Sequence, residues 1–241
     1  MTVLLQKGRF RVRQSRADAD IAKAQELRAI AFGCSDADAI DPLCTHVLVE
    51  DTNSGEVLSC FRMLQLDGKT VAQSYSAQFY ELSALEAYEG VMVEMGRFCT
   101  HPDHANDPDL LRCAWGAMTA YVDAHNVGLL FGCSSYAGTD TDPYLDSFAM
   151  LKERHLGPRH WLPRIKAPKV FRFAKELSRT PDIKAALRKT PPLLRTYLMM
   201  GGWVSDHAVV DDRMNTLHVF TGVEIRAIPS ARKRLLRAVA G

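Results

Sequence analysis

The 241-residue sequence predicts an α+β fold, a mixed and mostly antiparallel sheet flanked by helices. Three observations carry this. Short apolar or alternating runs recur along the chain as strands; two longer runs with helical periodicity interrupt them; and a turn-rich connection at 51–55 joins neighbouring strands into a meander. With 47% hydrophobic and 24% charged side chains the chain can bury a real core and reads as one domain spanning 1–241.

Residues 9–13 alternate Phe10 and Val12 with arginines, a strand expected at a sheet edge, where charges are tolerated. Ser15 and Asp18 have capping-box spacing, and Ile21, Ala24, Leu27 and Ala31 recur at helical intervals until Phe32-Gly33 stops the helix. An acidic loop at 35–42 leads to strands at 46–50 and 57–64, joined by Asp51-Thr52-Asn53-Ser54-Gly55. After the apolar strand that opens 91–102, Asp107-Pro108 supplies an N-cap and an N1 proline. The helix that follows carries Leu110, Leu111, Ala114, Met118, Tyr121 and Val122 as its stripe and ends near Asn126. Residues 127–133 read as a short buried strand, and Ser134 to Asp140 as a polar loop at its C-terminal end, where α/β folds tend to build sites. A helix at about 143–154, a basic proline-punctuated segment, a short helix near 192–199 and a hairpin of 203–210 with 214–221 complete the order. The tail 228–239 sets Arg232, Lys233, Arg234 and Arg237 against Ile228, Ala231, Leu235, Leu236 and Val239. It reads as an amphipathic C-terminal helix, packed on its own domain or turned to a membrane surface.

The net charge of +2 conceals segregation. Residues 1–16 carry five basic and no acidic side chains, 17–151 carry six and 21, 152–195 carry thirteen and three, and 196–241 carry six and four. The basic insertion at 152–195 is either a solvated surface or a dock for a negative partner: an acidic protein, an anionic membrane or a polyanion. Nucleic acid is disfavoured, because the run holds few aromatics and no recognition motif. No stretch approaches the roughly 20 apolar residues of a membrane span, and the start, Met1-Thr2-Val3-Leu4-Leu5-Gln6-Lys7, turns polar too soon for a signal peptide, so a cytoplasmic protein is expected. Cys34, Cys44, Cys60, Cys99, Cys113 and Cys133 have no C-x-x-C pairing and read as reduced core residues. Cys99-x-His101-x-x-His104 imitates a metal cluster, but no second ligand pair follows it, so no metal is expected.

The chemistry concentrates in Val91-Met92-Val93-Glu94-Met95-Gly96-Arg97, an apolar strand with a carboxylate and a guanidinium inside it. A buried Glu must be paired or shift its pKa, so Glu94 is either a general base or half of a structural pair with Arg97. Three residues apart, the two would face opposite sides of a regular strand. A bulge at Gly96 would bring them to one side and leave a backbone N–H free for an oxyanion.

The element order is that of the GNAT acyltransferases. The chain further resembles the ornithine-lipid branch, the acyl-carrier-protein-dependent amino-acid N-acyltransferases. The likeness runs through Leu27-Arg28-Ala29, Asp41-x-x-Cys44-x-His46, Phe61-Arg62-Met63-Leu64, Glu94-Met95-Gly96-Arg97-x-Cys99-x-His101-Pro102, Leu130-Phe131-Gly132-Cys133-Ser134-Ser135, Gly138-Thr139-Asp140 and Pro191-Pro192-Leu193-Leu194-Arg195. It implies a GNAT-like N-acyltransferase in which an amino acid's α-amine attacks the thioester of a 3-hydroxyacyl carrier protein, giving lyso-ornithine lipid. The donor's 4′-phosphopantetheine takes the place of any tightly bound cofactor. Glu94, Arg97 and Gly96 are then the expected catalytic set. Asp41, His46, Ser134, Ser135 and Asp140 are the expected substrate-binding set, and Arg154, Arg159, Arg164 and Lys169 the expected carrier-protein dock. Acetyl-CoA enzymes of the superfamily place a glycine-rich pyrophosphate cradle where this chain has Asp103-His104-Ala105-Asn106-Asp107-Pro108, whose acids would repel a diphosphate. The family often has an aromatic-Arg pair after His101-Pro102 and an Asp in the last strand, where this chain has Asp103-His104 and His218.

Other readings are weaker. His46-x-x-x-x-Asp51 imitates the His-Asp pair of membrane glycerolipid acyltransferases, yet five positions along a strand point to opposite faces. Ser134 and Ser135 lack a G-x-S-x-G elbow. A carrier-protein or membrane-binding module without turnover stays open, as does the acceptor: ornithine would want an acid such as Asp140 or Asp41 near its second cation, glutamine amide partners.

Overall fold

A computed structural model describes residues 2–105 and 107–240; Met1, Asn106 of the 103–108 turn, Gly241 and the side chains of Val239 and Ala240 lie outside the described residues. The chain runs through β1 (Thr2–Lys7), β2 (Phe10–Ser15), α1 (Asp18–Phe32), β3 (Thr45–Asp51), β4 (Val57–Leu66), β5 (Tyr80–Glu81) and β6 (Val91–Thr100). It continues through α2 (Pro108–Ala124), β7 (Val127–Ala137), α3 (Leu145–Arg154), β8 (Arg164–Ile165), β9 (Val170–Phe171) and α4 (Phe173–Glu176). Last come α5 (Ile183–Lys189), α6 (Pro192–Met199), β10 (Trp203–Asp211), β11 (Thr216–Glu224) and α7 (Ser230–Ala240). These elements gather into two compact units, one from residues 1–65, 93–127 and 230–241, the other from 66–92 and 128–229.

In the first unit the strands lie in the order β1-β2-β3-β4-β6. Strands β1 to β4 pair antiparallel, with Phe10 opposite Asp51 and Thr45 opposite Met63. The arginine-bearing strand is therefore not an edge: β1 covers it. Its charges are tolerated because Arg13 is held by Glu50 and Asp20 and Arg11 by Glu50. The expected capping box is also absent. Helix α1 has Ala17 at its N-cap with no side-chain bond, while the Ser15 hydroxyl accepts from the Ala17 N–H. Its end follows expectation, with Gly33 in the left-handed region at φ 71°. Ala24 and Leu27 pack on Cys60 and Cys99, and burying a leucine there contributes about 2 kcal/mol. The Asp107 carboxylate caps α2 by accepting from the Asp109 and Leu110 N–H groups. Arg237 of α7 grips both Asp123 oxygens at 2.9 Å and fastens the C-terminal helix along α2. Leu235, expected on the inner stripe, is instead 63% exposed beside Arg234.

The second unit holds β7-β11-β10-β9, with β5 and β8 paired apart from that order. The polar loop expected from Ser134 begins only at Gly138, because β7 continues to Ala137 and stays registered with β11, Ala137 opposite Thr216. Helices α3 to α6 bury Phe148, Leu151, Phe173, Ala186, Leu194 and Leu198 on Tyr136, Val204, Ala208, Leu217 and Val219. A hydroxyl chain, Tyr136–Ser147–Thr190, joins β7 to α3 and to the end of α5 at 2.8 and 2.7 Å. The basic 152–195 run is thus anchored to the sheet by its apolar residues. All six cysteines are thiols; Cys34 is exposed and Cys133 half-buried, so neither is a core residue. No described helix is long and apolar enough to cross a membrane.

Candidate active site

Strand β6 carries the departure from regular geometry that the sequence calls for, one residue later than expected. Gly96 is absent from the positive-φ glycines, and Arg97 takes the left-handed conformation at φ 57°, which costs a non-glycine residue of order 1 kcal/mol. A Cβ built on Gly96 would point at Arg62 Nε, 3.8 Å away. The guanidinium of Arg97, the next residue, meets Asp38, which Arg62 also holds. Two consecutive residues reach one side of the strand, the effect of a bulge. Glu94, two before Gly96, shares that side by the period of two. It is 5% exposed, and its charge is felt by Cys44, whose thiol burial pushes up to about 12 with Glu94 adding to the rise.

Around Arg62 and Arg97 lies a buried ion network. Arg28 donates to Asp36 at 2.8 Å and to Asp41 at 2.7 and 3.1 Å. Arg62 donates to Asp38 at 2.7 and 2.9 Å and to Asp41 at 2.6 Å. Arg97 lies 2.7 Å from Asp36 through Nε and 3.2 Å from Asp38 through Nη2. Three guanidiniums thus face three carboxylates, and the acidic loop 35–42 is the inward half of the cluster. Burial pushes the Asp41 carboxyl up, but Arg28, Gln25 and Arg62 overrule it and hold it well below the ordinary range. For Asp38, Arg62 and Arg97 likewise outweigh burial. His46 is buried with Nε2 2.9 Å from the Asp41 carbonyl, and burial lowers its pKa.

These contacts reassign two expectations. Asp41 is 1% exposed and takes Arg28, Arg62 and Gln25, so it is no free counter-ion for an acceptor's second amine. Arg97 is engaged by the loop carboxylates and fixes the loop to β6. Arg28 and Arg62 were legible only as resemblance residues. Arg28 does lie four after Ala24 and seven after Ile21, on the helix's buried stripe.

In the second unit, Ser134 is buried and accepts from the Thr221 hydroxyl at 2.9 Å, whereas Ser135 is exposed. Asp140 is exposed, and its carboxylate accepts from the Asp142 N–H. Of the basic candidates, Lys169 pairs with Asp212 and Arg154 touches Glu153; Arg159 is exposed and Arg164, 82% exposed, is 3.9 Å from Glu81. In the first unit, His101 and His104 stand ring to ring at 6.0 Å, and no group of three metal-ligating side chains occurs among the described residues.

Comparison with known proteins agrees with this architecture. The acetyltransferase (GNAT) domain family matches residues 22–115. An L-ornithine N(alpha)-acyltransferase of Rhodobacter capsulatus is 34% identical over 200 residues, 80% of this chain and 76% of that protein. One of Brucella abortus is 26% identical over 245 residues, 92% of this chain and 87% of that protein. Among solved structures, FeeM, an N-acyl amino acid synthase from uncultured soil microbes, covers 96% of this chain and 97% of its own with a TM-score of 0.50 at 9% identity. The loading GNATL domain of CurA from Lyngbya majuscula covers 90% and 98% with a TM-score of 0.50 at 11% identity. These last two show likeness of fold. The chain belongs to the L-ornithine N(alpha)-acyltransferase family and is an N-acyltransferase with a GNAT-like fold.

Proposed function

We propose that the enzyme moves a 3-hydroxy fatty acyl group from acyl carrier protein to the α-amine of ornithine, giving lyso-ornithine lipid. Glu94 takes a proton from the attacking amine, the amide near Gly96 steadies the oxyanion of the tetrahedral species, and collapse expels the 4′-phosphopantetheine thiolate, which is protonated as the amide is released. Arg97 holds the strand and loop that frame Glu94. The observation that carries this reading is a buried carboxylate on the side of β6 that meets Arg62, beside a left-handed residue.

Further observations support a protein-borne donor. The first amides of α2, where a diphosphate would sit, are taken by Asp107, which also receives Arg9. The positive 152–195 run gives an acidic carrier protein a dock, with Arg159 and Arg164 its freest candidates. Asp140 is the counter-ion proposed for the acceptor's side chain, and Ser134 and Ser135 of β7 are proposed to help bind the acceptor. The basic helix α7, with Leu235 in solvent, suits peripheral contact with an anionic membrane face.

The test is to supply purified protein with 3-hydroxyacyl carrier protein and each amino acid in turn and to identify products by mass. An N-acyl ornithine supports the proposal. An N-acyl glutamine moves the acceptor, and binding without product with every amino acid leaves a docking module.

A further inference from the structure

Three non-glycine residues among those described have a left-handed backbone: Asn126, Asn215 and Arg97, at φ 50°, 50° and 57°. The two asparagines sit in the turns before β7 and β11, and asparagine tolerates that conformation. Arg97 has neither excuse. It lies inside β6, three residues before the end of a ten-residue strand. Strain of this kind persists only where the surroundings over-determine it, and it gathers at functional sites.

The acidic loop supplies those surroundings. Arg97 Nε lies 2.7 Å from Asp36 and its Nη2 3.2 Å from Asp38, so the guanidinium is held at two points. Both carboxylates are themselves fixed. Arg28 of α1 donates to Asp36 Oδ1 at 2.8 Å and to the Asp36 carbonyl at 3.2 Å. Asp38 accepts from Arg62 of β4 at 2.7 and 2.9 Å and from the Ile40 and Asp41 N–H groups at 3.0 and 3.1 Å. Asp36 is the inner anchor: its side chain is fully buried, whereas that of Asp38 is 12% exposed, and it links α1 to β6 through two guanidiniums.

The φ of Arg97 sets the angle between the Gly96–Arg97 and Arg97–Phe98 peptides. Relaxed to the extended value of a regular strand, Arg97 would carry its guanidinium to the opposite face, away from the loop, and those peptides would turn with it. A carboxylate that holds the guanidinium therefore holds the amides. We infer that Asp36 is a positioning residue of the acyl transfer: through the Arg97 guanidinium it keeps the left-handed step in β6, and with it the direction of the amide that meets the oxyanion. This rests on the oxyanion role proposed for the amide near Gly96 and names what aims that amide. Removing an oxyanion donor outright costs about 10² to 10³ in kcat, so misdirecting one is expected to cost a good part of that.

The experiment reads two properties of the full-length enzyme: the Cα and Cβ chemical shifts of Arg97 by NMR, which separate left-handed from extended backbone, and kcat and KM for N-acylation of ornithine. In folded Asp36→Asn, Arg97 is expected to move toward extended shifts and kcat to fall about tenfold or more with KM unchanged, the sign of a contact made in the transition state. Arg97→Gly, which adopts φ 57° without a clamp, should keep more of kcat than Arg97→Ala, and adding Asp36→Asn to it should cost nothing further. Unchanged Arg97 shifts in Asp36→Asn overturn the inference, as do losses that add in the double variant, which make Asp36 structural. Should Asp36→Asn fail to fold, the glycine and alanine variants decide, and equal kcat overturns it. Shifts that move while kcat holds contradict the oxyanion role of the amide, and the inference falls with that role. A wild type that makes no N-acyl ornithine contradicts the proposed function itself, before any variant is compared.

Discussion

Arg97 Nη2 and Asp38 Oδ2 meet at 3.2 Å, tying the residue three beyond Glu94 to a loop 59 positions earlier in the chain. The same guanidinium lies 2.7 Å from Asp36, which is fully buried. Arg97→Ala leaves Asp36 to Arg28 and Asp38 to Arg62 alone and should destabilise the protein by about 2 kcal/mol in urea unfolding. Arg97→Gly should cost about 1 kcal/mol less, since only glycine adopts φ 57° without strain. Equal losses would mean that the backbone there is unstrained.

Acid stability should fall in two stages. Burial holds His46 and His155 below the ordinary histidine value, so the unfolded chain binds their protons first; their stabilisation is complete above pH 6.5 and is lost as pH falls through that value toward the folded pKa values. Asp20, lowered to about 2 by Arg13, and Asp38 keep their contribution until pH drops below 3.8. The melting temperature should decline from pH 7 to about 5 and again below 4. His46→Gln should flatten the first decline in part, leaving the share of His155; an unchanged profile would clear His46.

Asp140→Asn should raise KM for ornithine more than for glutamine, because only ornithine loses an ion pair. Initial rates with both acceptors decide it. Equal effects would remove Asp140 from the side-chain pocket.

Arg159→Glu with Arg164→Glu should slow association of acyl carrier protein in stopped flow and flatten its salt dependence, leaving single-turnover chemistry intact. Unchanged association at low salt would make the run a solvated or membrane-facing surface, with the basic strand β2 the next place to look.

What the sequence revealed follows the range of each interaction. Asp107-Pro108 announced α2 and Pro192 announced α6 because caps act within a few residues. The sequence showed the acidic loop but not its ion pairs with Arg62 and Arg97, which lie 21 or more positions away. Ser134 to Ala137 read as loop because polar side chains hide a strand whose partner is β11, far along the chain. Glu94 stood out, since a lone acid in an apolar run is visible without tertiary knowledge. Its bulge was misplaced by one residue, because glycine is the usual left-handed residue and an arginine took that role here.

Glu94 is the proposed base. Single-turnover acylation of ornithine by Glu94→Gln, beside wild type and with thermal melting and carrier-protein affinity as controls, tests it most directly. An intact fold, unchanged affinity and a chemical step slowed by about 10² or more are expected. A near-wild-type rate would contradict that role, and a protein that no longer folds would make Glu94 a structural residue.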